Sequence, residues 1–401
     1  MGALDGMKVL DLTQYEAGTS CTQYLAWFGA TVYKVEKPGR GDPGRRSAAG
    51  DARDGLYFLS FNANKQSLAI DLATPEGRDL FLQLVPKVDA VVENFTLGTM
   101  EKLGIGYDVL KQHNPAVIYA TVKGFGTTGP YKDFKCFDWV AQAAGGAFSV
   151  TGEADRGPMR PGPTYADTGT GMHAAMGILA AYIERLKTGE GQVVEVSMQE
   201  TVVNFMKMQM STKERHLPGP IPRTGARFVP TATLFPCAPG GPNDYIFIMV
   251  VTDRMWDDLI LAIDRPDLAA DERFDSWLAR SQNADALEAE IGAWSRQRTK
   301  WEAMEYLGKR SVPVSAVYDS NDIFDNPHLE ARGAIVTHDH ATRGPIRLPA
   351  NPVRLSRSDV KVRPAPLLGQ HTAEVLEAEL GLTPDAFAAL ATRNIVGTAG
   401  D

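Results

Sequence analysis

Residues 7–36, MKVLDLT-QYEAG-TSCTQYLAWFG-A-TVYKVE, read as a strand, a helix and a second strand. Val9, Leu10 and Leu12 make a short apolar run, and Val32, Tyr33 and Val35 make another. Between them Cys21, Tyr24, Leu25 and Phe28 recur at helical spacing, and Gly29 supplies the stop. A strand, a helix and a strand in this order predict a βαβ unit, and hence a parallel sheet. Ligands of such sheets sit outside the carboxyl ends of the strands, so the loops at 14–18 and 36–41 are candidate lining. The first βα turn has no GxGxxG, which argues against a nicotinamide dinucleotide site there.

Working outward, strand-like runs at 67–71, 90–93, 117–123 and 192–198 alternate with helical patterns at 75–85 and 135–146 and through Val202, Phe205 and Met208. Composition shifts at 217–230, where Pro218, Gly219, Pro220, Pro222 and Gly225 mark a linker. The expected organisation is a large α/β domain over 1–216 and a smaller α+β domain over 231–330. The smaller one has a strand at 245–251, helices near Trp256, Leu287 and Trp301, and a strand at 314–317. A helix at 372–380 lies in the tail.

The composition is that of a soluble globular chain: 401 residues, 44% hydrophobic, 22% charged. A net charge of -8 excludes general binding to a polyanion such as DNA. Lys34, Lys37, Arg40, Arg45 and Arg46 run against that sign, which is either a solvated loop or a seat for a phosphate-bearing ligand. Three separated cysteines without CxxC point away from disulfides and zinc and toward a reducing cytoplasm. No apolar run reaches the length of a membrane span, and the first residues carry no signal-peptide core.

One carboxylate stands out. In PTYADTGTGMHAA, residues 163–175, Asp167 lies among small residues just before a long apolar helix through Ile178, Leu179 and Tyr182. It is either the helix cap or an open nucleophile beside backbone N–H groups. The GxGxxA match at 169–174 follows a Pro/Gly-rich loop and no strand, so the dinucleotide reading fails. His173, six positions from Asp167, does not share its helical face. No HxxxH, HExxH or GxSxG is present, so neither metal catalysis nor a serine hydrolase has support.

Many blocks in one order resemble the family III CoA-transferases of the CaiB/BaiF superfamily, with the formyl-CoA enzymes nearest. They are 20–30 (SCTQYLAWFGA), Lys34-Val-Glu, Gly41-Asp with Arg45, Leu56-Tyr-Phe, Asn64-Lys, Val92-Glu-Asn-Phe, Lys123-Gly-Phe, 140–146 (VAQAAGG), 167–173 (DTGTGMH) and 365–372 (APLLGQHT). The resemblance implies a Rossmann-like large domain completed by residues 331–401, a smaller domain, and an interlocked homodimer. It implies CoA transfer from a thioester, such as a formyl-CoA or succinyl-CoA-like donor, to oxalate or another small acid. Coenzyme A would be substrate, with no resident cofactor and no metal. By the same resemblance Asp167 is the nucleophile, Glu16 orients or shields, and Gly240 and Gly241 form a glycine loop, shorter here than in the formyl-CoA enzymes. CoA contacts fall on Ala17, Lys37, Ile70, Ala73, Asn94, Phe95, Lys102, Lys135 and Asp138, with Arg45 a phosphate partner. Glu16 stands where the formyl-CoA enzymes have glutamine, and Lys37 and Lys102 where they commonly have arginine. Two other readings share these residues. An α-methylacyl-CoA racemase needs a second base, a histidine where this chain has Cys136. A non-catalytic acyl-CoA-binding protein needs only the pocket.

Overall fold

The computed structural model describes residues 2–47, 54–214 and 219–399, so residues 217 and 218 of the expected linker lie outside it. The chain forms two compact units. One comprises Met1–Ala147, Arg160–Pro218 and Arg332–Asp401, and the other Phe148–Met159 with Gly219–Ala331.

Six strands build the first unit: β1 (Lys8–Asp11), β2 (Thr31–Glu36), β3 (Gln66–Ala69), β4 (Ala90–Glu93), β5 (Ile118–Lys123) and β6 (Val193–Ser197). They form one parallel sheet in the order β3-β2-β1-β4-β5-β6. Chain order reverses between β1 and β4, the point at which doubly wound sheets open a ligand crevice. β4 and β5 are buried along their whole length. Helices on both faces explain this, and with it the near-continuous apolar runs in the sequence. Val9, Val32, Val92 and Ile118 face one core with Leu25 and Ile178. Leu10, Tyr33, Leu68, Val91 and Tyr119 face the other with Phe81, Leu84 and Leu376.

Two helices on the first face carry the site. Ala17–Trp27 packs along Tyr165–Thr188, and Gly171 sets how near they come. A Cβ at Gly171 would lie 2.6 Å from the Ala17 carbonyl oxygen and 2.7 Å from the Ser20 Cβ. The GxG of residues 169–171 is thus a packing motif. Gly169 likewise leaves space for the Phe205 ring, which a Cβ would meet at 2.5 Å.

The chain's last segment belongs to this unit as well. In the helix Thr372–Leu380, Glu379 accepts from Lys8 Nζ at 2.7 Å and from the Tyr33 hydroxyl at 2.6 Å. The Asp71 N–H donates to the Ile395 carbonyl at 2.8 Å.

The second unit holds β7 (Ala232–Pro236), β8 (Tyr245–Met249) and β9 (Val314–Ala316) in one antiparallel sheet. Trp256, Phe274, Leu287, Ile291 and Leu307 form its own core. No described helix is long and apolar enough to cross a membrane.

Candidate active site

The loop after β1 meets the residues after β4 at the switch point. Asn94 clasps that loop twice: its Oδ1 accepts from the Gln14 N–H and its Nδ2 donates to the Gln14 carbonyl, each at 2.8 Å. A Cβ at Gly18 would collide with Thr13, so the turn into the helix needs glycine. Tyr15 takes a left-handed backbone, φ 61°, uncommon outside glycine.

Buried charges hold this loop from below. Lys34, fully buried, donates to the Thr13 carbonyl and pairs with Asp42 at 3.0 Å. Asp42 Oδ1 in turn accepts from the Tyr15 N–H at 3.2 Å. Lys65 donates to Asp11 Oδ2 and the Thr19 carbonyl, both at 2.9 Å, and to Asn62 Oδ1 at 2.8 Å. Burial pulls Lys65 down to about 8, opposed by Asp11. Against the cost of burial, Lys34 and Lys65 hold Asp11 below the usual carboxylate range. These ties hold an otherwise costly backbone in one conformation.

Over this platform lies a cleft of about 400 Å³ lined by Glu16, Asn94, Phe95, Lys135, Cys136 and Asp167 among others. The helix carrying Asp167 starts at Tyr165, with Thr164 in the cap position making no side-chain cap bond. Asp167 therefore stands inside the first turn, which corrects the expectation that it precedes the helix. The cap is supplied across the fold. Asp138 opens the helix Asp138–Ala144, and its Oδ1 accepts the Asp167 backbone N–H at 3.0 Å. Gln142 Nε2 holds the other Asp138 oxygen at 2.5 Å and also reaches the Pro163 carbonyl at 3.0 Å.

With the cap made elsewhere, the Asp167 side chain is free of that duty. Among the described residues nothing donates to its carboxylate, which is half-buried. Burial, then the neighbouring Glu16 and Asp138, push it up to about 8. Burial raises Asp138 as well. Glu16 is 2% exposed. Its Oε1 accepts from Thr164 Oγ1 at 2.5 Å and Thr168 Oγ1 at 2.8 Å, and its Oε2 from the Tyr57 hydroxyl at 3.3 Å. Burial pushes its carboxyl up while these hydroxyls pull it down, and the net direction is upward. Burial, with Asp167 and Asp138 beside it, drives the Cys136 thiol to about 12. At neutral pH it stays protonated and is no base.

Ala17, Asn94, Phe95 and Lys135 line the Asp167 cleft. Lys37, Ile70 and Ala73 line an adjoining cleft of about 180 Å³, and Phe95 borders both. Lys102 closes the short helix Thr99–Lys102 and is exposed, lining neither. The Asp138 carboxylate is committed to the Asp167 turn. Arg45 needs correction. It is 3% exposed, donates to both Glu36 oxygens at 2.7 and 2.8 Å and to Asp54 at 2.5 Å, and stacks on Phe58. With the Pro366 carbonyl accepting at 3.1 Å, four of its five N–H groups are bonded inside the protein, and its interior position leaves it no open face toward a phosphate. Gly240 and Gly241 occupy the turn between β7 and β8 of the second unit. Gly240 has φ 100°, and the Gly241 N–H donates to Asp244 at 2.7 Å. His173 is structural, bonded to the Gly169 carbonyl and to Asn204. Sequence reading missed the hydroxyls of Tyr57, Thr164 and Thr168 and the capping role of Asp138. Only the TxxxT spacing, one helical turn from Thr164 to Thr168, hinted at a shared partner.

Residues 4–372 match the model of CoA-transferase family III. A formyl-CoA:oxalate CoA-transferase of Streptomyces avermitilis is 37% identical, over 98% of this chain and 99% of its own. The enzyme of that name from Rhodopseudomonas palustris strain BisA53 is 36% identical, over 95% and 94%. Among solved structures, a CaiB/BaiF family protein from Brucella suis superposes with a TM-score of 0.84 at 31% identity, covering 94% of this chain and 99% of that one. Rv3272 from Mycobacterium tuberculosis gives 0.79 at 30%, covering 93% and 98%.

Proposed function

We propose, for a chain that belongs to CoA-transferase family III, that Asp167 is the nucleophile through which coenzyme A passes from an acyl-CoA thioester to a small free carboxylic acid. The observation that carries this is the Asp167 carboxylate itself. It lines the cleft at the switch point of a parallel sheet, and its helix is capped by a different residue.

A carboxylate oxygen of Asp167 attacks the thioester carbonyl, the C–S bond breaks, and an aspartyl anhydride forms with release of the CoA thiolate. The thiolate attacks the aspartyl carbonyl, freeing the donor acid and leaving an aspartyl-CoA thioester. The acceptor carboxylate repeats these two steps in reverse and leaves as its own thioester. Several moderate barriers replace one difficult exchange. Asp138 holds the Asp167 turn, and the first-turn N–H groups favour charge developing there. Gly240 and Gly241 keep the glycine-loop role that the family resemblance implies. Ala17, Asn94, Phe95 and Lys135 contact CoA near its sulfur, with Lys37, Ile70, Ala73 and Lys102 toward its nucleotide end. The protonated Cys136 thiol argues against the racemase alternative, which needs a second base. The exposed Met172, Met176, Ile183 and Leu186 on the Asp167 helix support a second copy of the chain covering that face, as in an interlocked dimer. We assign the reaction to the cytoplasm.

The test crosses formyl-, acetyl- and succinyl-CoA with a panel of free acids and identifies the products by mass spectrometry. New thioester must appear together with the free donor acid. Release of CoA without new thioester, or no turnover with any pair, contradicts the reading. The same assay carries a pH prediction. Only ionised Asp167 attacks, so kcat/KM for the donor should climb about tenfold per pH unit and level off near pH 8.

A further inference from the structure

Two carboxyl groups, Glu16 and Asp167, line the cleft without a directly paired cation among the described residues. Asp138 lies behind Asp167, its Oδ1 accepting the Asp167 N–H at 3.0 Å, and Arg160 is the cation that acts on it. Among the described residues no lysine or arginine hydrogen-bonds or ion-pairs with any of the three. Lys123, the innermost ammonium on the cleft wall, is held by both Glu93 oxygens at 2.7 and 2.8 Å and by the Phe95 carbonyl at 2.6 Å. Lys132 and Lys135 also line the cleft but are exposed, with their charge in solvent. Arg45 is locked in the interior.

Glu16 has what an anion requires. Three hydroxyl groups, from Tyr57, Thr164 and Thr168, converge on its two oxygens, and among the described residues no other bond of theirs competes. Hydroxyls donating to both oxygens solvate a carboxylate in place of water. The side chain is also buried and bonded at both carboxylate oxygens, so turning away from an arriving negative charge would break those bonds.

An acceptor must bring one carboxylate to the acyl carbon on Asp167, and that oxygen becomes part of the new bond. A second carboxylate on the adjacent carbon would remain ionised beside Glu16, whose oxygens are bonded by hydroxyls and, among the described residues, by no lysine or arginine. In a partly desolvated cleft such like charges repel strongly. We infer that Glu16 is a specificity-determining residue that restricts the acceptor to acids bearing a single negative charge, and discriminates against vicinal dicarboxylates such as oxalate. The inference rests on the proposed transfer at Asp167. It separates this chain from the acid named in its curated relatives.

The experiment measures kcat/KM for formate, acetate, propionate and oxalate as acceptors with one common donor, for wild type and for Glu16→Gln. Wild type should favour at least one monocarboxylate over oxalate by tenfold or more. Glu16→Gln, which keeps the shape and removes the charge, should raise the oxalate-to-monocarboxylate ratio at least tenfold. A purely structural loss would lower all four acceptors together. A wild-type preference for oxalate overturns the inference, and that ratio is decisive even if the variant does not fold. Transfer with an unchanged ratio in a folded Glu16→Gln also overturns it while leaving the transferase reading intact. No transfer by wild type to any acid overturns both.

Discussion

Replacing Asp167 by alanine or asparagine is expected to lower CoA transfer at least a thousandfold, because no neighbouring group can form the acyl bond in its place. Cys136 stays a thiol at neutral pH, and Glu16 and Asp138 are each bonded at both oxygens. Binding should be spared, since the residues proposed to contact CoA are separate from this side chain. The Kd for CoA, measured by calorimetry, is expected to change less than threefold. Asp167→Asn should also alter the pH dependence of stability. The carboxyl is raised to about 8 in the fold, so between about pH 4 and 8 the unfolded chain loses a proton that the native state keeps. Its stabilising contribution is complete below pH 4 and is lost as pH rises through 8. Asparagine removes that slope, and thermal unfolding across this window should be flatter in the variant. Retention of more than a tenth of wild-type activity would contradict the nucleophile assignment, and an unchanged pH slope would contradict the raised carboxyl.

Lys65→Met is expected to destabilise the first unit by about 3–5 kcal/mol, the usual cost of leaving a buried charge without its partner. Both members of the Lys65–Asp11 pair are wholly inaccessible, and Lys65 also ties the Thr19 carbonyl and Asn62. Lys34 is the remaining cation near Asp11. The double variant Lys65→Met/Asp11→Leu removes both charges and should recover part of the loss. Urea unfolding of the single and double variants reads this directly. A single variant within about 0.5 kcal/mol of wild type would contradict the supporting role given to this ion pair. In a variant that still folds, slackening of the Tyr15 turn should lower kcat, because that turn carries Glu16.

The βαβ start of the chain was legible because a parallel strand buried on both faces shows itself as a short apolar run, and Gly29 ends the first helix. The whole sheet followed from repeats of that pattern. The start of the Asp167 helix was not legible. Local sequence assigns a cap to the nearest acid, whereas here Asp138 makes the bond from 29 residues upstream. Charge misled in the same way. Lys34 and Arg45 belong to a basic segment that reads as solvated or phosphate-binding, yet both are interior, neutralised by Asp42, Glu36 and Asp54. Burial of a cation depends on partners brought together by the fold, and spacing along the chain does not record it. The hydroxyls around Glu16 were hidden for this reason too, since Tyr57 and the two threonines lie far from it in sequence. Asp167 itself was visible as a solitary carboxylate among small residues. Its choice between cap and nucleophile came from the resemblance to a family, and the Asp138 cap now gives that choice a physical basis.

Asp167 is proposed to bond covalently to coenzyme A during turnover, and that bond can be caught. The enzyme is quenched while it cycles with an acyl-CoA donor, the activated carboxyl is trapped with hydroxylamine or borohydride, and the peptide containing residue 167 is mapped by mass spectrometry. A hydroxamate or alcohol at Asp167, absent without donor, is the predicted result. An unmodified Asp167 peptide from an actively cycling sample would contradict transfer through this carboxylate.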